Sequence, residues 1–166
     1  MATFGQSTSQ GGGTDNPATN WIWIKATTTP ASSGTLTNIH VWCSRISAGN
    51  LGAALYSDSA GSPGSLIAAN ETGVAIPLSA SDLAIPLSAS IVSGTQYWLA
   101  IRNTTGGDAA VDFGSASGTE LYYKSSTGNF PSSFSSPDGS DASERWTVWG
   151  EYTPDAGDTL MGQILT

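Results

Sequence analysis

With 166 residues, 11% of them charged, a net charge of -8 and a pI near 4.1, the chain is long enough to bury one core and too short for two. Five Lys and Arg residues in all cannot build a phosphate-neutralising stripe, which excludes nucleic acid and anionic membranes as partners, and no apolar run nears the roughly 20 residues that span a bilayer. The 25 Ser, 19 Thr, 20 Gly and 8 Pro outweigh the helix formers, and no window alternates at helical period, so an all-β domain with a Trp-rich interior follows.

The N-terminal stretch MATFGQSTSQGGG has neither a basic leader nor an apolar core and reads as no secretory signal. Phe4–Gly13 reads as a short strand entering a Gly-rich turn. In 20–28, Trp21 and Trp23 alternate with Ile22 and Ile24, so both faces are apolar, as in a covered central strand. Residues 35–46 set Thr37, Ile39, Val41 and Cys43 against Asn38, His40, Trp42 and Ser44, one core face and one mixed face. Cys43 is the only cysteine, which rules out an internal disulfide and suits a small buried apolar residue.

The stretch 53–68, AALYSDSAGSPGSLIA, predicts a strand, a nine-residue ordered turn of Ser, Asp, Ala, Gly and Pro, and a returning strand. The heptapeptide AIPLSAS then occurs twice, at 75–81 and 84–90. An odd offset turns the copies to opposite faces of one straight strand, and Pro77 and Pro86 lack the amide a central strand needs. One copy is expected as an edge strand and the other as its bent approach, or both as short separate strands. GTQYWLAIRN at 94–103 is the clearest strand, with Tyr97, Leu99 and Ile101 opposite Trp98, Ala100 and Arg102. Two shorter strands follow at 109–113 and 120–124. Residues 125–142 form a long turn-rich segment anchored by Phe130 and Phe134, and ERWTVWGEY at 144–152 closes the domain. Eight to ten short strands at this spacing predict a sandwich or jelly roll over residues 1–153. Residues 154–166 form a C-terminal tail, either folded back on its own domain or docked as an arm on a neighbour through Leu160, Met161, Ile164 and Leu165.

Catalytic groups are sparse. His40 is the only histidine, has no acid near it in sequence, and no G-x-S-x-G supplies a nucleophile. The pairs Asp108/Asp112 and Glu144/Glu151 read as solvated carboxylates rather than as a glycosidase pair. One His and one Cys exclude a structural zinc site. Calcium is the one cofactor the chain suggests, at Asp138, Asp141 and Glu144 of DGSDASE, against ordinary turn capping by the same residues. Trp42, Trp98 and Trp149 fall opposite the more apolar faces of their strands and are the candidates for a glycan-stacking platform. The competing expectation is that they pack between layers or under loops.

The succession ALYSDSAGSPGSLIA, SGTQYWLAI, LYYKSSTGNFPSSF and RWTVWGEY resembles a β-sandwich domain recurrent in bacteriophage virion proteins (fibres, tail and head appendages) and in secreted bacterial surface proteins. The resemblance covers roughly residues 4 to 152. It implies a jelly-roll-like sandwich used for attachment or decoration and carries no catalytic residues. The doubled AIPLSAS departs from that pattern. The expectation is therefore a non-enzymatic virion component, a capsid-decorating, head-fibre or tail-appendage subunit. Its partners would be other copies of itself and a capsid or tail protein. A carbohydrate-binding or adhesin module on an extracellular or cell-surface protein is the alternative, and a filament or surface-layer subunit the third.

Overall fold

The computed structural model describes residues 1–9, 11–16, 21–115, 121–126 and 128–157. These residues fold into strands alone: β1 (Ala2–Gly5), β2 (Gly13–Asp15), β3 (Trp21–Ala26), β4 (Gly34–Arg45), β5 (Asn50–Ser59), β6 (Ser62–Ala75) and β7 (Ser81–Ile91) come first. They are followed by β8 (Tyr97–Asn103), β9 (Ala109–Ser115), β10 (Leu121–Ser125), β11 (Gly139–Asp141), β12 (Glu144–Trp146) and β13 (Val148–Pro154). Thirteen strands replace the eight to ten expected because the chain breaks its long closing segment and its N-terminus into three- and four-residue pieces.

Two antiparallel sheets pack face to face, a β-sandwich. β1, β2, β4, β7, β9, β12 and β13 form one sheet, and the other runs β11-β10-β3-β8-β5-β6. β4 is the spine of the seven-stranded sheet, with Gly34 in register with both Pro154 of β13 and Ile91 of β7, on opposite edges. Where β13 parts from β4, β9 takes its place, and Thr147 holds the junction. Its amide donates to Asp112 O at 2.9 Å, its carbonyl accepts from Trp42 N at 3.1 Å, and its buried hydroxyl donates to Asp112 Oδ2 at 2.5 Å.

The main core lies between the sheets. β4 contributes Leu36, Ile39, Val41 and Cys43 to it, β7 contributes Leu83, Ile85, Leu87 and Ile91, and β8 contributes Tyr97, Leu99 and Ile101. Leu36 and Ile39 are three apart yet both point inward, because the register slips between Leu36 and Asn38 in the pairing with β7. That bulge takes Thr37 off the core face on which strict alternation had put it. A second core covers the outer face of the six-stranded sheet. There Ile22, Ile24, Ala54, Tyr56, Trp98 and Ala100 lie under Phe130 and Phe134, the two anchors expected from the sequence.

The β5–β6 hairpin is tighter than its composition predicts. Only Ala60 and Gly61 form the turn, with φ of 54° and 82°, the left-handed pair that matches strand twist. The Ser, Asp and Pro residues on either side stay in strands and are absorbed by register shifts at Leu55/Tyr56 and Tyr56/Asp58. Asp58 locks the turn, accepting from Gly61 N at 3.0 Å and from Trp98 Nε1 at 2.8 Å.

The repeated heptapeptide adopts two structures. The second copy lies within β7, which pairs with β4 alone, and the first forms the bend between β6 and β7. Leu87 of the second copy is 6% exposed, while its counterpart Leu78 is 74% exposed. The last strand runs one residue past the expected boundary at 153. The proposed arm residues Leu160, Met161, Ile164 and Leu165 lie outside the described residues.

Candidate functional site on the open sheet face

Strand side chains alternate between faces, and partners opposite one another in register share a face. On the outer face of the seven-stranded sheet this rule gathers residues from three strands. His40 of β4 lies opposite Trp149 of β13 and Ala84 of β7, Asn38 lies opposite Glu151, and Trp42 lies opposite Asp82.

The side chains complete the pattern. His40 Nδ1 stands 2.9 Å from both carboxylate oxygens of Asp82, and Nε2 stands 3.4 Å from Glu151 Oε2. The imidazole stacks on the Trp149 indole, with centroids 4.9 Å apart and planes at 11°. Asn38 Nδ2 donates to Glu151 Oε2 at 2.8 Å. This bond first, and His40 after it, hold the Glu151 carboxyl below the usual glutamate range. The acids that sequence proximity could not supply to His40 are 42 and 111 residues away along the chain.

A general base needs one ring nitrogen on a nucleophile and the other on an orienting group. Both nitrogens of His40 face carboxylates, so the cluster is a clasp rather than a nucleophile–base pair. Each acid keeps lone pairs for a donor from outside, and Asp82 is 40% exposed on its side chain.

The three tryptophans singled out as a platform do not form one. Trp98 is 1% exposed, sealed under Phe130 and Phe134 with its N–H on Asp58. Alternation put it opposite the inter-sheet core correctly, but that second face is covered as well. Trp149 is 9% exposed, with one ring face taken by His40. Trp42 alone of the three keeps partial exposure. Trp21 and Trp23, read from sequence only as strand residues, are also partly exposed and gather around Tyr123 at 5.5 and 4.8 Å. Trp23 closes that row by stacking on the buried Trp146 at 5.1 Å.

The proposed calcium ligands are likewise kept apart. Asp138 Oδ2 accepts from Ser125 N at 2.7 Å, Asp141 Oδ1 accepts from the Ser143 amide and hydroxyl at 2.7 and 2.6 Å, and Glu144 Oε2 accepts from Trp146 Nε1 at 2.8 Å. The Ser143 bonds hold Asp141 below the usual aspartate range, whereas burial, followed by the nearby Asp15 and Asp141 charges, raises Glu144. Among the described residues no three His, Cys, Asp or Glu side chains converge to hold a metal ion. Of the three, Asp141 caps its own turn, Asp138 reaches the Ser125 amide across the loop, and Glu144 holds an indole.

Two further ionisable groups are buried. Burial, reinforced by the Asp82 charge, pushes the Cys43 thiol up to about 12, which makes it inert as a nucleophile. Lys25, between the sheets and 6% exposed, donates from Nζ to Trp146 O at 3.0 Å. Burial first, and Arg145 second, bring its amine down to about 7.

No protein-family model matches the chain, and no curated protein matches it significantly.

Proposed function

We propose that this chain is a non-enzymatic structural subunit of a virus particle, decorating a capsid or forming part of a head fibre or tail appendage, and that it acts by packing and display. One observation carries the reading: the two outer faces of the sandwich are built differently. The chain seals the outer face of its six-stranded sheet with its own segment, fastened by Tyr56 Oη donating to Pro131 O at 2.9 Å and Phe134 N donating to Gly64 O at 2.9 Å. Among the described residues no such segment lies over the outer face of the seven-stranded sheet around His40, where the Asp82 side chain is 40% exposed. A rigid sandwich with one closed and one open face suits a subunit that presents a surface. The sequence resemblance to phage virion domains supports the same reading.

The test is sedimentation of virus particles from the source organism followed by mass spectrometry of the particle band. The chain is expected in that band at a fixed ratio to the major capsid or tail protein, and a version lacking residues 158–166 is expected to be depleted from it. Recovery of the chain only as free protein, with none in particles, would overturn the reading.

A further inference from the structure

We propose that the open face carries a binding site for a neutral saccharide, with the sugar ring stacked on Trp42 and its hydroxyls bonded to Asp82 and to the His40–Glu151–Asn38 network. The inference deepens the display reading by naming what the displayed face takes, and it rests on that reading only for the identity of the particle.

Stability does not explain the cluster. Exposed ion pairs contribute about 0–1 kcal/mol, and an outer sheet face of Ser, Thr and Ala would be equally soluble without them. Yet the sole histidine and two carboxylates are brought onto one face from β4, β7 and β13, beside a partly exposed indole. The clasp fixes acceptors before any ligand arrives. Asp82 is held by both oxygens on Nδ1, and Glu151 is held through Oε2 by Asn38 and His40. Preset acceptors lose little freedom on binding, which is the condition for useful affinity at an open surface.

The chemistry of the donor set selects the ligand. A pyranose presents a C–H face that stacks on an indole and equatorial hydroxyls that donate sideways. Trp42 and Asp82 stand opposite one another in register, so an indole and a carboxylate are neighbours on one face. Asp82 and Glu151 present acceptors only, which suits a ligand that brings hydroxyl donors.

The experiment is isothermal titration of the full chain with glucose-, mannose-, galactose- and N-acetylglucosamine-based linear trisaccharides, with spermine as a cationic contrast. At least one trisaccharide is expected to bind with a millimolar or tighter Kd, and Trp42→Ala is expected to weaken it by about tenfold or more. Asp82→Asn, which keeps the shape of the side chain, is expected to weaken it severalfold, and Trp21→Ala to leave it unchanged. A thermal melt of each variant separates lost binding from lost folding. Failure of all four sugars to bind, binding indifferent to Trp42→Ala, or binding of spermine alone would each overturn the site. A Trp42→Ala chain that still enters particles but no longer binds sugar keeps the particle reading and the saccharide site distinguishable.

Discussion

The two outer faces of this sandwich start from the same raw material and end with opposite physics. Each centres on aromatic residues and one nitrogen-bearing side chain beside carboxylates: Arg102 and Glu71 on one face, His40 with Asp82 and Glu151 on the other. On the six-stranded sheet the chain folds back over them. Glu71 Oε1 accepts from Phe130 N at 2.8 Å, the Arg102 guanidinium donates to Gly128 O, and its carbon lies 5.5 Å from the centre of the Phe130 ring. On the seven-stranded sheet nothing among the described residues folds back over His40. Charge on the covered face organises a second core, and charge on the open face is left for solvent or a ligand. The comparison teaches that coverage, more than composition, decides what a polar cluster is for.

The largest break in that contrast is expected from the anchor of the sealed face. Phe134 is fully buried and meets Tyr56 edge to face at 5.7 Å. Phe134→Ala should cost about 3–5 kcal/mol in urea unfolding and should raise amide exchange in β5 and β8, whose outer side chains it covers. Unchanged exchange there would mean the segment does not seal the face.

Lys25 lies on neither outer face, and its behaviour with pH sharpens the meaning of coverage. Below about pH 7 folded and unfolded chains both hold the proton, and the full cost of burying the ammonium remains. As pH rises from about 7 toward the unfolded value of 10.5, the folded chain releases a proton that the unfolded chain still binds, so stability increases across that window. Between about pH 6.5 and 8.5 the gain should be on the order of 2 kcal/mol, offset by a few tenths at the top of that range, where the unfolded Cys43 thiol begins to ionise. Lys25→Met should flatten this slope and raise stability at the acid end. Parallel pH profiles for the variant and the parent would refute the assignment.

Much of this architecture is legible in the residue pattern. Tyr97, Leu99 and Ile101 turn inward as their alternation requires, Ile22 and Ile24 lie on a covered central strand, and Phe130 and Phe134 anchor the turn-rich segment. What escapes the pattern is non-local. A bulge at Leu36/Asn38 shifts a face by one residue, and no local signal announces it, because Thr-Asn is acceptable in either register. The nine turn-forming residues of the hairpin are consistent with a long loop or with a bulged strand, and only the pairing with β5 and Trp98 selects the second. Trp98 and Trp42 look alike in sequence, each on the less apolar face of its strand. One is sealed by a segment about thirty residues later in the chain, and the other is not. The clasp at His40 exists only because β4 is flanked by β7 on one edge and β13 on the other, a fact of topology that no window of sequence contains.

The charged fastening of the sealed face should matter less than its aromatic anchor. Glu71 keeps its bond to the Phe130 amide and stands 3.6 Å from Arg102 Nε, both groups being largely shielded from solvent. Glu71→Ala removes an amide's only charged acceptor and should cost about 1–2 kcal/mol in denaturant unfolding. Glu71→Gln keeps an acceptor oxygen and should recover most of that loss. If both variants cost the same, the charge and not the hydrogen bond fastens the segment.

The smallest effect is expected at the open face. Asp82 reaches solvent, so its attraction to His40 is screened, and a double-mutant cycle of His40→Ala with Asp82→Ala should give a coupling below about 1 kcal/mol. Raising salt from about 0.05 M to about 1 M shortens the screening length to about 3 Å and should remove most of that coupling, while leaving the Phe134→Ala deficit unchanged. A coupling of several kcal/mol that persists in salt would place the clasp in a low-dielectric setting. The face would then be covered in solution by something that its open surroundings do not supply, and the contrast between the two faces would fail at its base.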